Sequence, residues 1–347
     1  MLHRSVWRFA AGAALALGAV SASSAAVAQS ADGFFKGKTF TILVGGTAGG
    51  GIDVGARIMA RHIGKHLPGQ PTVVAGLMPG AGGVRLLEHL VQAAPKDGTV
   101  VGAFASGPLL EPMVGGRKIN YSMTDFTAVG ALDKDVTFCA TSTASGVKTV
   151  EDAKGRTVTV AGTGAASATD TEPLVLNALL GTKFKVITGY LGTQETLVAI
   201  ERGEVDGRCA FGWMSLNASK PNWLPEKKVN LIVQIGLEKH PMLKDMPLAS
   251  DLVSNEADKQ LLRLVAGPLA LSRPYLGPPG MDATRISEVR KAFIETTRDP
   301  EFRADFRKSA AGEEPNATDG MGMEKLLGEM YSTPQPVQER LKKILTP

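Results

Sequence analysis

The sequence contains few of the side chains that hold metal ions or build disulfide frameworks. Only two cysteines, Cys139 and Cys209, and five histidines occur among its 347 residues. A metal site needs several such ligands at defined spacing, so we expect no metal and no cofactor. Both cysteines lie in predicted strands, where each is interpreted either as a small buried side chain or as half of a disulfide bond.

Sequence motifs of several enzyme classes are also missing. The chain has no GxSxG or HExxH motif, and its main glycine-rich loop lacks the GxxxxGK[ST] pattern of nucleotide-binding loops. We therefore expect a binding protein, while an enzyme acting on a small acid stays open as the less favoured alternative.

The longest apolar run lies near the beginning of the chain. Arg4 and Arg8 precede an apolar segment from Phe9 to Val20, and Ala26-Val27-Ala28 forms a small-residue cleavage site. This run is shorter than the roughly 20 residues that span a bilayer. We expect residues 1–28 to be a signal peptide cleaved near Ala28, and the mature protein to be periplasmic.

The charge of the mature chain is nearly balanced. The signal segment holds two of the 38 basic residues and none of the 34 acidic ones, which leaves 36 − 34 = +2. No basic run with interleaved aromatic residues occurs, so no nucleic-acid partner is expected. The 319 residues that follow the signal (347 − 28) suffice for two domains of about 150 residues each.

Glycine, in contrast, is abundant, and it clusters after a predicted strand. The apolar run Phe40–Val44 predicts a buried strand, and an amphipathic helix ends near Leu67. Between them lie Gly45, Gly46, Gly49, Gly50 and Gly51. Such a loop presents free N–H groups to an anion, although a turn that binds nothing stays open. Asp53 is interpreted as a cap of the helix.

Similar strand–loop–helix units follow along the chain. Loops at 79–83 and 105–108 follow the next two predicted strands, so parallel strands should bring all three loops to one edge. A second series of such units begins near Gly146. We predict an α/β fold of two lobes, each a mostly parallel sheet flanked by helices. Lobe one comprises 38–134 and 265–347, and lobe two comprises 135–264.

Seven short motifs occur in an order that resembles a known family. They are GGTAGGGID at 45–53, PGAGG at 79–83, PKDGT at 95–99, Asp125-Phe126, Gly162-Thr163-Gly164, Tyr190-Leu191-Gly192 and Gly203-Glu204-Val205-Asp206. In this order they resemble the substrate-binding receptors of tripartite tricarboxylate transporters, called Bug-type receptors. The likeness extends from about Lys38 to the C-terminal helices.

The resemblance implies a type II periplasmic-binding-protein fold, with two lobes that are joined by two crossing strands and close on a small organic acid. Backbone N–H groups of the loops would hold the ligand carboxylate. The implied ligand-binding residues are Thr47, Ala48, Gly49, Gly50, Gly82, Ser106, Gly162, Gly164 and Tyr190.

The chain departs from the family pattern at four places, one of which is a lengthened turn between Ala165 and Glu172. Ala161 stands where a serine is usual, Leu191 stands where a lysine is usual, and Arg208 to Phe211 replace an acidic or amide pair. Arg208 is interpreted either as a surface side chain or as a bidentate clamp for a carboxylate. Tyr190 either packs on the wall of the cleft or reaches the ligand.

The expected function is that of an extracytoplasmic receptor for a small organic anion, most simply a carboxylate. It would act as a monomer and deliver its ligand to the membrane permease subunits of a tripartite transporter. A receptor that serves a signalling system uses the same closure and stays open as an alternative.

Overall fold

The computed structural model describes residues 33–114, 119–165, 167–310 and 312–346. The predicted signal peptide, residues 1–28, lies outside these ranges. Within them, no helix combines the length and the apolar character that a membrane span requires.

The strands of the described chain form two sheets. They are β1 (Thr39–Val44), β2 (Thr72–Leu77), β3 (Val100–Ala103), β4 (Thr127–Asp133), β5 (Thr137–Ser142), β6 (Val158–Ala161), β7 (Phe184–Ile187), β8 (Gly207–Gly212), β9 (Val229–Ile235), β10 (Ser272–Gly277) and β11 (Thr318–Asp319).

Helices flank both sheets. They are α1 (Gly51–Ile63), α2 (Val84–Gln92), α3 (Glu111–Val114), α4 (Val150–Gly155), α5 (Ala168–Leu180), α6 (Thr193–Glu201), α7 (Trp213–Ser219), α8 (Glu256–Ala266), α9 (Ala283–Arg298), α10 (Pro300–Ser309), α11 (Gly320–Tyr331) and α12 (Gln335–Leu345).

The first sheet has the strand order β11-β4-β10-β3-β1-β2. Strand β1 pairs in parallel with β2 and β3, whereas β10 runs antiparallel to its neighbours. Phe40, Ile42 and Val44 alternate along β1 and are fully buried, which gives this strand its place in the core. The loops after β1, β2 and β3 therefore meet at one edge, as predicted.

The second sheet has the order β7-β6-β8-β5-β9. Strand β6 pairs in parallel with β7 and β8, and β5 is antiparallel to both β8 and β9. We call each sheet, with the helices packed on it, a lobe. The predicted α/β fold of two lobes is confirmed, although each sheet is mixed and contains antiparallel strands.

Two adjacent segments carry the chain between the lobes at the base of the cleft. Residues 134–136 lead from β4 to β5, and the turn Gly267–Leu271 leads from α8 to β10. The backbone N–H of Asp135 donates to the carbonyl of Leu269 at 3.0 Å, so the two segments lie side by side. The cleft between the lobes has this pair at its base.

The last helix does not fit the predicted assignment of 265–347 as a whole to lobe one. Helix α12 packs against α5 and α8, which cover the second sheet. Its Leu341 is fully buried in the same apolar cluster as Val175 of α5 and Leu262 of α8. The apolar face of α12 is thus covered by lobe two, and the chain crosses between the lobes once more after α11.

The two cysteines are joined. Cys139 in β5 and Cys209 in β8 lie on neighbouring antiparallel strands, are buried, and form a disulfide bond. Both alternatives left by the sequence therefore hold in part, since the cysteines are buried and are also paired with each other.

Candidate functional site

A cavity of about 120 Å³, called the cleft cavity below, lies between the lobes. It is small beside the roughly 300–1,000 Å³ of typical ligand pockets, so it suits a compact ligand. The predicted site residues that line it are Thr47, Gly50, Gly82, Ser106 and Arg208, and those outside its lining are Ala48, Gly49, Gly162, Gly164 and Tyr190.

The loop after β1 is held in shape by Asp53. This buried carboxylate accepts a hydrogen bond from the N–H of Gly49 at 2.8 Å and pairs with Arg57 at 2.8 Å. The helix N-cap is Gly50, with no side-chain cap, so Asp53 stabilises the loop from the first helical turn. The N–H of Gly49 is thereby occupied, while Thr47 and Gly50 face the cavity.

Helix N-termini from both lobes border the cleft cavity, and those of α1 and α6 lie on opposite sides of it. Helix α1 begins after Gly50 and α6 after Gly192, and neither N-cap has a side-chain hydrogen bond. By contrast, Asn255, Asp282 and Asp319 cap helices that begin elsewhere. Since an uncapped N-terminus keeps free N–H groups and about half a positive charge, both ends favour an anion.

The lobes touch across the mouth of the cleft. Thr47 Oγ1 donates to Glu195 Oε2 at 3.1 Å. The carbonyl of Gly49 accepts from Gln194 Nε2 and from Ser219 Oγ, each at 3.0 Å. A Cβ on Gly82 would lie 2.8 Å from the Cβ of Ser167. The arrangement is therefore closed, and Gly49 contributes to closure through its carbonyl.

The glycines of the loop after β6 are engaged within lobe two and at its border. A Cβ on Gly162 would collide with Asp170 and lie 2.7 Å from Val186, so glycine is required there for packing. The N–H of Gly164 donates to Asp170 Oδ2 at 3.1 Å. The residues of this region that line the cavity are instead Thr163, Ser167 and Thr169.

Tyr190 packs on the wall of lobe two. Its ring lies against the apolar cluster that contains Leu197 and Phe211, and its neighbour Leu191 lines the cavity. The structure thus places the ring of Tyr190 in the wall, and contact of its hydroxyl with a ligand stays a prediction.

Arg208 is buried at the floor of the cleft cavity, with only 4% of its surface exposed. Its guanidinium donates to Thr196 Oγ1 at 2.8 Å and to the carbonyls of Ala210 and Cys209 at 3.3 and 3.4 Å. It also lies 4.7 Å from the ring centre of Phe211. These partners are neutral, and none of the ion pairs among the described residues includes this guanidinium. The interpretation of Arg208 as a surface side chain is therefore excluded.

The carboxyl that acts electrostatically on Arg208 is that of Glu172, whose ionisation is opposed by burial. Burial raises the pKa of Glu172 to about 8, although hydrogen bonds from Thr137 and Ala210 act in the opposite direction. Burial also lowers the pKa of Arg208 to about 10, still above neutral. Near neutral pH the arginine is charged, whereas burial favours the neutral form of Glu172, so Glu172 does not fully balance the charge of Arg208.

A second buried arginine joins the two crossing segments. Arg273 in β10 lies 3.3 Å from carboxylate oxygens of both Asp133 and Asp135. Its backbone φ is +53°, an uncommon conformation for a residue with a side chain, and Ala210 has a φ of +52°. Both residues line the cleft cavity.

Sequence reasoning missed several residues of the cavity lining. For Thr193 a local signal existed, since a glycine precedes the predicted helix. Asp135, Ser215 and Arg273 have no such signal, because contacts between residues as distant in sequence as Asp135 and Arg273 bring them together.

Several solved structures have a similar two-lobed fold. Periplasmic binding protein BugD has a TM-score of 0.70 at 19% identity, over 88% of this chain and 97% of BugD. Rpa4515 of R. palustris with adipate has a TM-score of 0.68 at 18% identity, over 89% of this chain and 97% of Rpa4515. MatC from Rhodopseudomonas palustris with bound malate has 0.65 at 21%, over 88% and 98%. No family model and no curated protein matches the chain. At these identities the likeness shows that the chain has the fold of periplasmic binding proteins.

Proposed function

We propose that this protein is an extracytoplasmic receptor of the Bug type, which binds a small carboxylate in the cleft cavity for delivery to a tripartite-type secondary transporter. The fold and the near-complete coverage of the solved receptors support the assignment. Two of those receptors hold an organic acid, adipate or malate.

The observation that carries the proposal is the unbalanced charge at the cleft floor. Arg208 is buried and charged, and it makes its hydrogen bonds to neutral oxygens. A buried cation without an anionic partner is costly, and a ligand carboxylate would remove that cost. A carboxylate matches the planar guanidinium, which donates charge-assisted hydrogen bonds to it.

The main chain adds a second source of positive potential. The N-termini of α1 and α6 enter the cavity from opposite lobes. An anion bridging them would be stabilised only when the lobes are closed, which links ligand binding to closure. A membrane permease would recognise the closed surface, and this is how a loaded receptor is told from an empty one.

The remaining parts of the proposal concern location and partners. The signal segment supports export and cleavage near Ala28, hence a periplasmic location. We propose that the receptor is monomeric, binds without chemical turnover, and has the permease subunits of a tripartite transporter as partners. We also propose that the lobes divide between residues 134 and 135 and again near residue 265, and that α12 belongs to lobe two.

The test is a screen of small mono- and dicarboxylates by thermal shift, followed by calorimetry on the mature protein. We expect Arg208→Ala to weaken the best acid by more than about tenfold, which corresponds to 1.4 kcal/mol, because the charged hydrogen bonds are lost.

Arg202→Ala serves as the matched control, since Arg202 lies on the surface of the same lobe with 70% of its side chain exposed. The control should bind like the wild type. Equal affinity of all three proteins would remove Arg208 from the site, and a screen without any binding acid would refute the receptor proposal.

A further inference from the structure

Beneath the cleft floor lies a carboxyl group that does not line the cleft cavity. Glu172 of α5 is 1% exposed and accepts hydrogen bonds from Thr137 Oγ1 at 2.7 Å and from the N–H of Ala210 at 2.9 Å. Thr137 and Ala210 both line the cavity. Glu172 thus bonds to two residues of the cavity wall and positions them.

Glu172 also shares its surroundings with Arg208. The N–H of Ala210 donates to Glu172, while the carbonyl of Ala210 accepts from Arg208 at 3.3 Å. The left-handed backbone of Ala210, with φ of +52°, turns these two groups toward their partners. The acid and the base are therefore coupled through one strained residue as well as through their charges.

We propose that Glu172 controls anion affinity through its own protonation, an inference that rests on the proposed receptor function. When Glu172 is neutral, the charge of Arg208 is available to the ligand carboxylate. When Glu172 is ionised, its negative charge offsets the positive charge of Arg208, and the ligand carboxylate is attracted less strongly. Ligand binding to the ionised form then draws one proton from solvent onto the Glu172 carboxylate.

Two charged groups act on Glu172 from neighbouring elements. Arg208 of β8 favours the ionised form and Asp135, between β4 and β5, opposes it. A bound ligand carboxylate at Arg208 would act like Asp135, as a second negative charge. It therefore favours the protonated form of Glu172, which gives the direction of the coupling.

The other charged groups around α5 have partners or face solvent. Asp170 on the same helix accepts from Gly164 and Thr169. Asp258 of α8 pairs with Arg340 of α12, and Lys185 of β7 is exposed. The charge balance at Glu172 is thus set by Arg208 and Asp135.

A proton can reach Glu172 from the cleft. A space of about 10 Å³ borders Glu172 and shares Ser106, Gly107, Ala168 and Leu269 with the lining of the cleft cavity. This volume is close to the ~10–15 Å³ that one water molecule needs. We infer that protons exchange between Glu172 and the cleft through this space.

The sign of the pH dependence follows from linkage. Below the pKa of Glu172, about 8 in the free protein, the group is already neutral and affinity is insensitive to pH. Above it, each pH unit should weaken binding by up to about tenfold, because one proton must be taken up.

The experiment measures affinity for a carboxylate identified in the screen at about pH 6 to 9, where its acid groups stay ionised and the pH stays below the pKa of Arg208, about 10. Wild-type affinity should fall above pH ~8, while Glu172→Gln should bind as tightly as the wild type at neutral pH and keep most of that affinity up to about pH 9. The amide mimics the protonated carboxyl, since its oxygen accepts from Ala210 and its nitrogen donates to Thr137. Glu204→Gln, an exposed change on the same lobe, should keep the wild-type profile.

Calorimetry of the wild type in two buffers of different ionisation enthalpy provides a readout that needs no variant. Uptake approaching one proton at about pH 9 is expected, and zero uptake would overturn the inference even if Glu172→Gln does not fold. Equal pH profiles for wild type and Glu172→Gln would overturn it too. In both cases the receptor function would survive. Failure of every acid to bind at any pH would refute both proposals.

Discussion

At the scale of single residues, glycines near the cleft serve two different physical purposes. Gly162 is required inside lobe two, because Asp170 and Val186 occupy the space of a side chain. Gly192 is required between the lobes, because a Cβ there would collide with Thr47 of the opposite lobe. A Cβ on Gly50 would lie a tight 3.3 Å from Thr193. Only the second kind is expected to influence ligand binding directly.

Gly192→Ala tests the second kind. The backbone of Gly192 is extended, with φ of −179°, so alanine is tolerated by the chain itself. Its Cβ would lie 2.9 Å from Cγ2 of Thr47 in the opposite lobe. We expect normal folding but affinity reduced by about tenfold or more, since closure must overcome this clash. Calorimetry with the best acid of the screen measures the loss.

Gly155→Ala is the corresponding control, because a Cβ there meets no atom within 4 Å. Small-angle scattering of Gly192→Ala should also report a more open molecule. Unaltered affinity together with wild-type scattering would show that the closed contact between Gly192 and Thr47 does not form in solution.

Residue-level prediction from the sequence was successful where a local cue existed. Thr47, Gly50, Gly82 and Ser106 follow strands whose ends meet at one edge, and all four line the cavity. Whether any of them binds the ligand stays a prediction. Gly164 has the same local appearance, yet its N–H is taken by Asp170, a carboxylate from the following helix.

At the scale of elements, β5 and β8 form the floor of the cleft and are cross-linked. The bond between Cys139 and Cys209 closes a chain separation of 70 residues. Thr137 lies two residues before one cysteine and Arg208 directly precedes the other. The disulfide therefore links the strand that carries Thr137, a hydrogen-bond partner of Glu172, to the strand that carries Arg208.

Replacing both cysteines by alanine should lower the free energy of unfolding by about 2–4 kcal/mol, since the unfolded chain regains conformational freedom. Urea denaturation monitored by fluorescence measures the change. The wild type with reductant under unfolding conditions should approach the stability of the variant. Identical midpoints for oxidised wild type and variant would contradict a stabilising disulfide.

Helix ends show a related division of roles. α8, α9 and α11 begin with asparagine or aspartate caps, which stabilise them without any ligand. α1 and α6 begin with glycine at the cleft cavity and leave their first N–H groups free. The N–H groups at these two ends are available to an anion in the cleft cavity.

At the scale of the whole molecule, the lobes are joined by an ion-pair cluster at the base of the cleft. Arg273 contacts Asp133 at the end of β4 and Asp135 in the segment that follows. Burial raises the pKa of Asp133 to about 7, and the charge of Arg273 acts against that rise. Both crossing segments are thus tied by one guanidinium.

Arg273→Met should lower the free energy of unfolding by about 3–5 kcal/mol at neutral pH, because the buried carboxyl of Asp133 and the partly buried carboxyl of Asp135 lose their cation. The loss should be smaller at about pH 5, since a protonated Asp133 needs no partner. Chemical denaturation at both pH values measures this.

Arg263→Met, at an exposed pair with Glu256, should change stability by no more than about 1 kcal/mol. A loss for Arg273→Met that is no larger than this control would exclude the cluster as a tie between the lobes.

The sequence by itself determined the repeated units of strand, glycine loop and helix, and hence the two-lobed α/β fold. Apolar periodicity and glycine positions act within a few residues, so they are readable without knowing the rest of the chain. Only the tertiary structure decided that Arg208 is buried without an anion, that Glu172 lies beneath it, and that Arg273 meets Asp133 and Asp135. These outcomes depend on contacts between distant segments and on the loss of water around charged groups, which no local pattern encodes.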